Sequence, residues 1–186
     1  MSIIVTERLL LRPVRDEDLD AFYEYSKNPN VGPPAGWKPH ESIEESRNIL
    51  KMFAKWENHW AVTKREEDKM VGSIGLVEDE RRKNPHVRML GYALAEPCWG
   101  KGYITEAAEA VIRYGFETLK LDLISIYHYS DNARSRRVIE KCGFRYEGLL
   151  RRSEELYDGE IKDELLYSLT REEFEATGGR NAPLSL

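Results

Sequence analysis

The sequence predicts an α/β (α+β) domain organised on one mixed, mostly antiparallel twisted sheet of about seven strands, with helices packed against it. Three observations lead there. Apolar residues recur every three to four positions in some segments and every second position in others. Charged turns at 65–69 and 79–85 join consecutive period-two segments, as in an antiparallel meander. The 186 residues, 41% of them apolar, suffice for one core and hardly for two. We therefore expect a single domain over 1–186, with its core in about 6–176 and a frayed tail over 177–186.

Residues 8–13 are a short apolar run closed by Pro13, a strand. Asp16 stands in the N-cap position of a helix carrying Leu19, Phe22, Tyr23 and Ser26. Residues 28–40 hold four prolines and two glycines and read as a loop. Ser42 and Glu45 have capping-box spacing ahead of Ile49, Leu50, Phe53 and Ala54, which predicts a helix to about residue 56. Residues 59–64 and 70–78 form a hairpin, and 86–97 the next strand. Ala108, Val111, Ile112, Phe116 and Leu119 mark a helix over 105–119. Residues 123–129 are a strand with Ile124, Ile126 and His128 on one side; 132–142 is a helix stopped by Gly143 in a left-handed C′ position. Residues 144–150 and 162–169 are the last strands, and Thr170 with Glu173 caps a short terminal helix.

Composition narrows the function. A net charge of −5 gives no bulk attraction to nucleic acid. No stretch approaches the ~20 apolar residues of a membrane span, and the opening residues meet charge too early for a signal peptide. With only Cys98 and Cys142, the chain suits a reducing cytoplasm. His40, His59, His86 and His128 lack ligand spacing, so no metal site is expected. Cys98 has no base at a recognisable spacing and reads as packing.

Residues 96–107 carry the most chemistry. Gly100 and Gly102 let the backbone bend tightly between a strand and a helix. The N–H groups of the helix start have no intrahelical acceptor and converge with the positive end of the helix dipole, which makes a site for an anion such as a pyrophosphate. Lys101 adds a charge.

A second segment, 130–144, gives that loop its context. The pair W-G-K-G-Y-x-T-E-A and N-x-x-S-x-x-V-x-E-K-x-G-F resembles the GNAT superfamily of acetyl-CoA-dependent N-acetyltransferases, in the branch of the ribosomal-protein N-terminal acetyltransferases RimJ and RimL. The likeness spans nearly the whole chain. It implies the acyl-CoA N-acyltransferase fold, with acetyl-CoA as co-substrate held at Trp99, Gly100, Lys101, Gly102, Tyr103, Ile104 and Thr105. In relatives the loop reads Gln/Arg-x-x-Gly-x-Gly/Ala; here Trp99 replaces the polar residue and Ile104 the small one. The strand edge around Ala93 and Leu94 would meet the pantetheine amides, as would Asn132. Many relatives carry a tyrosine where this chain has Ile139, which leaves Ser135 to protonate the departing thiolate. Tyr127, His128 and Tyr129 end the strand where the family opens its sheet, so one of them is a candidate to face the amine.

The implied acceptor is a primary amine, first among them a protein α-amine. That group, with pKa about 7.7–8.0, is roughly a third neutral near pH 7.5, against roughly 0.1% for a lysine. A small amine and a non-catalytic acyl-CoA-binding module remain as alternatives; a dehydrogenase is disfavoured because G-x-G-x-x-G is missing. Arg134, Arg136, Arg137 and Lys141 suit either the 3′-phosphate of coenzyme A or a solvated face. Trp37 is a loop anchor or lines the acceptor entrance, and Glu78, Asp79, Glu80, Glu154 and Glu155 suit a cationic acceptor or plain solvation. The expected state is a cytoplasmic monomer or homodimer.

Overall fold

Eight strands form one sheet in the order β1-β2-β3-β4-β5-β6-β8-β7 in a computed structural model that describes residues 2–179. The strands are β1 (Ile4–Val5), β2 (Leu9–Pro13), β3 (His59–Lys64), β4 (Met70–Val77), β5 (Val87–Leu94), β6 (Leu123–Tyr129), β7 (Arg145–Glu155) and β8 (Ile161–Thr170). The helices are α1 (Leu19–Ser26), α2 (Ile43–Phe53), α3 (Tyr103–Glu117), α4 (Ala133–Lys141) and α5 (Arg171–Ala176). No helix among the described residues is long and apolar enough to cross a membrane.

Helices cover both faces of the sheet. Val111, Ile112 and Phe116 of α3, Ile139 of α4 and Phe174 of α5 join Trp60, Leu76, Ile124 and Ile126 in the larger core. Phe22 and Tyr25 of α1 and Leu50 of α2 pack on Ala61 and Met70 from the other side. Two covered faces explain why β3 and β4, which read in sequence as period-two strands with one face out, are buried almost throughout.

The feature that positions the site is a break in pairing. The one parallel pair, β5 and β6, matches only Val87 with Leu123, Arg88 with Ile124 and Met89 with Ser125. Beyond it β5 stays on β4 as far as Leu94, while β6 stays on β8 as far as Tyr129 opposite Glu164. The two strands therefore diverge, and a wedge opens in the middle of the sheet.

Several expectations need correction. The sheet has eight strands because the two-residue β1, too short to show a period, pairs with β2. Asp16 is no cap: a 3-10 turn covers Asp16–Asp18, and neither Asp16 nor Asp18 caps α1 through its side chain. The Asp18 carboxylate instead takes the buried Arg12 guanidinium at 2.7 Å and the Arg15 N–H at 2.9 Å. Ser42 caps α2, but the Glu45 carboxylate turns to the Glu41 N–H, so only half of the capping box forms. The Thr170 box is complete. β7 extends to Glu155 through register shifts after Tyr146 and Leu150, which hide its period. Residues 177–179 close a hydrogen-bonded turn, with the Gly179 N–H on the Phe174 carbonyl; the expected frayed tail otherwise lies outside the described residues.

Candidate active site

The bend before α3 is built on two left-handed residues, Gly100 at φ +74° and Gly102 at φ +79°. Helical bonding begins with the Glu106 N–H on the Gly102 carbonyl, so the N–H groups of Gly102, Tyr103, Ile104 and Thr105 precede the ladder and point out of the helix end. Their dipoles favour an anion there. A brace holds the bend from behind. Glu106 accepts from the Thr6 hydroxyl at 2.6 Å, the Arg8 N–H at 2.8 Å and the Arg8 Nε at 2.7 Å, while Arg8 Nη1 donates to the Lys101 carbonyl at 2.9 Å. Sequence reading missed Arg8, whose partner lies 98 residues away.

A cleft of about 330 Å³ runs from this bend between β5 and α4. Of the residues expected to hold the co-substrate, Ala93, Leu94, Trp99, Gly100, Gly102, Tyr103, Ile104, Thr105, Asn132 and Ser135 line it; Lys101 does not. The Ala95 N–H bonds the Val71 carbonyl, so by the alternation of an antiparallel ladder Ala93 turns its polar groups to β4, and Tyr92 and Leu94 present theirs to the cleft. The Leu94 carbonyl is already taken by Trp99 Nε1 at 2.8 Å. Trp99 thus buttresses the strand end, and the Arg134 guanidinium lies 4.0 Å over its ring. Ile104 also packs on the larger core. Arg134, Arg137 and Lys141 share the cleft side of α4, whereas Arg136 pairs with Glu140 at 2.8 Å. Asn132 caps α4 through the Ser135 N–H at 3.1 Å and donates to the Pro34 carbonyl at 2.9 Å, which ties the proline-rich loop over the cleft.

The cleft continues into the wedge, a cavity of about 140 Å³ that shares Tyr92, Asn132 and Ser135 with it and adds Met89, Leu90, Tyr127, His128 and Tyr129. The ionisable side chains that line this cavity are three tyrosines and a histidine, with the Glu154 carboxylate and the Arg81–Glu164 pair behind them. The Tyr92 hydroxyl meets Ser135 Oγ at 2.9 Å, and burial raises the Tyr92 pKa, as it also does for Tyr127. Burial raises that of Tyr129 too, and its hydroxyl donates to Glu154 at 2.7 Å. His128 is buried beside Ile124 and Ile126, with a lowered pKa; its Nδ1 meets the Tyr129 carbonyl at 2.7 Å and its Nε2 has no partner. Tyr92 is the site residue that periodicity concealed, because in sequence it reads only as a strand position. Ile139 is fully buried in the core. Cys98 and Cys142 are buried, and neither is in a disulfide among the described residues.

On the other side of Met89 and Tyr127 a larger cleft of about 740 Å³ opens between the α2–β3 and β4–β5 connections. Three cavities thus adjoin one another: an anion cradle with a strand-edge groove, a wedge in the sheet, and an open cleft that Met89 and Tyr127 divide from the wedge.

Residues 8–145 match the model of the acetyltransferase (GNAT) domain family. The chain is 32% identical over 157 residues to the uncharacterized N-acetyltransferase YoaA of Bacillus subtilis (strain 168), covering 80% of this chain and 86% of that protein. It is 27% identical to the ribosomal protein uS5-alanine N-acetyltransferase of Escherichia coli (strain K12), over 90% of each. Among solved structures, a GNAT-family acetyltransferase from Bacillus anthracis superposes with a TM-score of 0.84 at 29% identity, covering 92% of this chain and 99% of that one.

Proposed function

The chain belongs to the GNAT acetyltransferase family and is an acetyl-CoA-dependent N-acetyltransferase; on that premise we propose that its acceptor is the α-amine of a protein N-terminus, of the ribosomal-protein type and in the cytoplasm. The observation that carries the reading is the lining of the wedge. Tyr92, Tyr127 and Tyr129 stay protonated, and His128, its pKa lowered by burial, is at most a weak base. Such a site suits an amine that is already partly deprotonated near neutral pH and would serve a lysine poorly. The likeness to the uS5-alanine enzyme supports the same class of acceptor.

The residues present fit acetyl-CoA. The glycine bend offers four amides ahead of the helical ladder to a diphosphate, and its left-handed turn at Gly102 holds them in place. Arg134, Arg137 and Lys141 would take the remaining phosphate, and the Tyr92 backbone groups with the Leu94 N–H the pantetheine amides. When bound, acetyl-CoA supplies an acetyl thioester whose carbonyl the neutral amine attacks, giving the amide and a free thiol. The chain holds the two partners in line, a contribution worth roughly 7–11 kcal/mol in favourable cases. Ser135 stands as proton donor to the leaving sulfur. A serine hydroxyl alone is a poor acid, but the Tyr92 phenol at 2.9 Å can replace its proton.

A panel of free-amine peptides beginning with alanine, serine and methionine, beside lysine-only peptides, polyamines and aminoglycosides, tests the acceptor class by thiol release. Turnover confined to N-terminal amines supports the reading. Turnover confined to small amines would replace it, and acetyl-CoA binding without any turnover would point to a binding module.

A further inference from the structure

We infer that Arg81 is a specificity-determining residue that binds the first carbonyl oxygen of the acceptor, and that the buried Glu164 is the positioning residue that holds it there. This rests on the α-amine reading above. Arg81 belongs to the β4–β5 connection, which in sequence is a charged, solvated turn. In the fold it is bolted down. Asp79 is 6% exposed and accepts from Ser125 of β6 at 2.6 Å, from Arg82 at 2.9 Å and from the Arg81 N–H at 3.0 Å. Arg82 also pairs with Glu147 of β7. The Arg81 guanidinium donates to Glu164 of β8, a carboxylate with no exposure at all, and lies 4.4 Å over the Tyr127 ring.

Tyr127 and Met89 are common to the wedge and the outer cleft, so Arg81, at the wall of that cleft, stands next to the point where an incoming amine reaches the wedge. Its side chain is 34% exposed, and one nitrogen is spent on Glu164, so part of its five-donor fork faces the cleft. A fixed cation there does two things. It lowers the pKa of a nearby amine and so favours the neutral nucleophile. It also offers hydrogen bonds to a carbonyl oxygen, which an N-terminal residue carries beside its amine and an alkylamine lacks. Glu164 keeps one oxygen without a partner and balances the guanidinium from below, so the fork stays in place when the cleft is empty.

The test compares two acceptors, an alanyl peptide and its analogue with a methylene in place of the first carbonyl, on the full-length enzyme with saturating acetyl-CoA, with kcat/KM expressed per neutral amine because loss of the carbonyl raises the amine pKa. The variants are Arg81→Met, Arg81→Lys, and the double variant Arg81→Met/Glu164→Leu, which leaves no lone buried charge and so keeps the test alive if the single variant misfolds. The wild type should prefer the peptide in kcat/KM by about tenfold or more. Removing Arg81 in either form should bring the two acceptors to near parity by raising the peptide KM, without moving the KM for acetyl-CoA, and Arg81→Lys should recover part of the preference. An unaltered preference in the double variant, or equal use of both acceptors by the wild type, overturns the inference. If the wild type turns over neither compound, the α-amine reading itself has failed, and this inference with it.

Discussion

Replacing Gly102 by valine puts a branched side chain on a residue at φ +79° at the start of α3. The left-handed conformation costs an ordinary L-residue roughly 1–2 kcal/mol, and a β-branched one more. A Cβ at this site would lie 3.4 Å from Arg8 Nη2, an ordinary contact, so the penalty is conformational and not a clash with the brace. The bend can escape the strain by giving up its left-handed turn, but then binding must restore it. At about 1.4 kcal/mol per tenfold, acetyl-CoA should bind about tenfold or more weakly to Gly102→Val in titration calorimetry. Gly143→Val is the control. Gly143 has φ +84° with nothing within 4 Å of its would-be Cβ, and it ends α4 away from the bend. There the same strain should appear as a lower melting temperature with affinity retained. Unchanged acetyl-CoA affinity in a folded Gly102→Val protein would refute the assignment of the bend.

Three further outcomes follow from the geometry. Burial lowers the His59 pKa from 6.5 to about 4, so the unfolded chain binds the extra proton first, and the His59 contribution is full above pH 6.5 and lost toward pH 4, by about 3 kcal/mol; urea titrations across that range should show a slope that His59→Leu reduces by that amount, the rest coming from His40, His128 and paired carboxylates, and equal slopes would contradict it. Ser135→Ala and Tyr92→Phe should each lower kcat by about tenfold or more with little change in acetyl-CoA affinity, and the double variant should be no worse than the poorer single one, because both lie on one proton path; wild-type turnover in either would leave the pair structural. Glu106→Ala removes the acceptor of the Thr6 hydroxyl and of two Arg8 donors, which should lower stability by about 1–2 kcal/mol and weaken acetyl-CoA binding as well; undiminished binding would show that the brace does not support the bend.

The parts legible in the sequence are those fixed by local rules. The glycine bend at Gly100 and Gly102 and the αL stop at Gly143 each need a glycine at one place, and each is found there. The helical faces of α2 and α3 follow from their period. What escaped depends on distant partners. Arg8 matters because it meets Glu106 and Lys101, and Tyr92 because it meets Ser135 from another element. Arg81 matters because it reaches Glu164, 83 residues on, and no spacing in a charged turn signals that. Asp79 shows the same limit: an acid that reads as solvated lies buried among three donors. Ile139, the position at which the resemblance expects a tyrosine, is fully buried in the core.

The wedge between β5 and β6 and the amides of Gly102 to Thr105 are the centre of this account. A crystal structure with a non-hydrolysable acetyl-CoA analogue measures both at once. It should show the diphosphate on those amides and the thioester carbonyl inside the wedge, between Leu90 and Tyr127. A diphosphate bound elsewhere, or an acyl arm that passes outside the sheet, would contradict it.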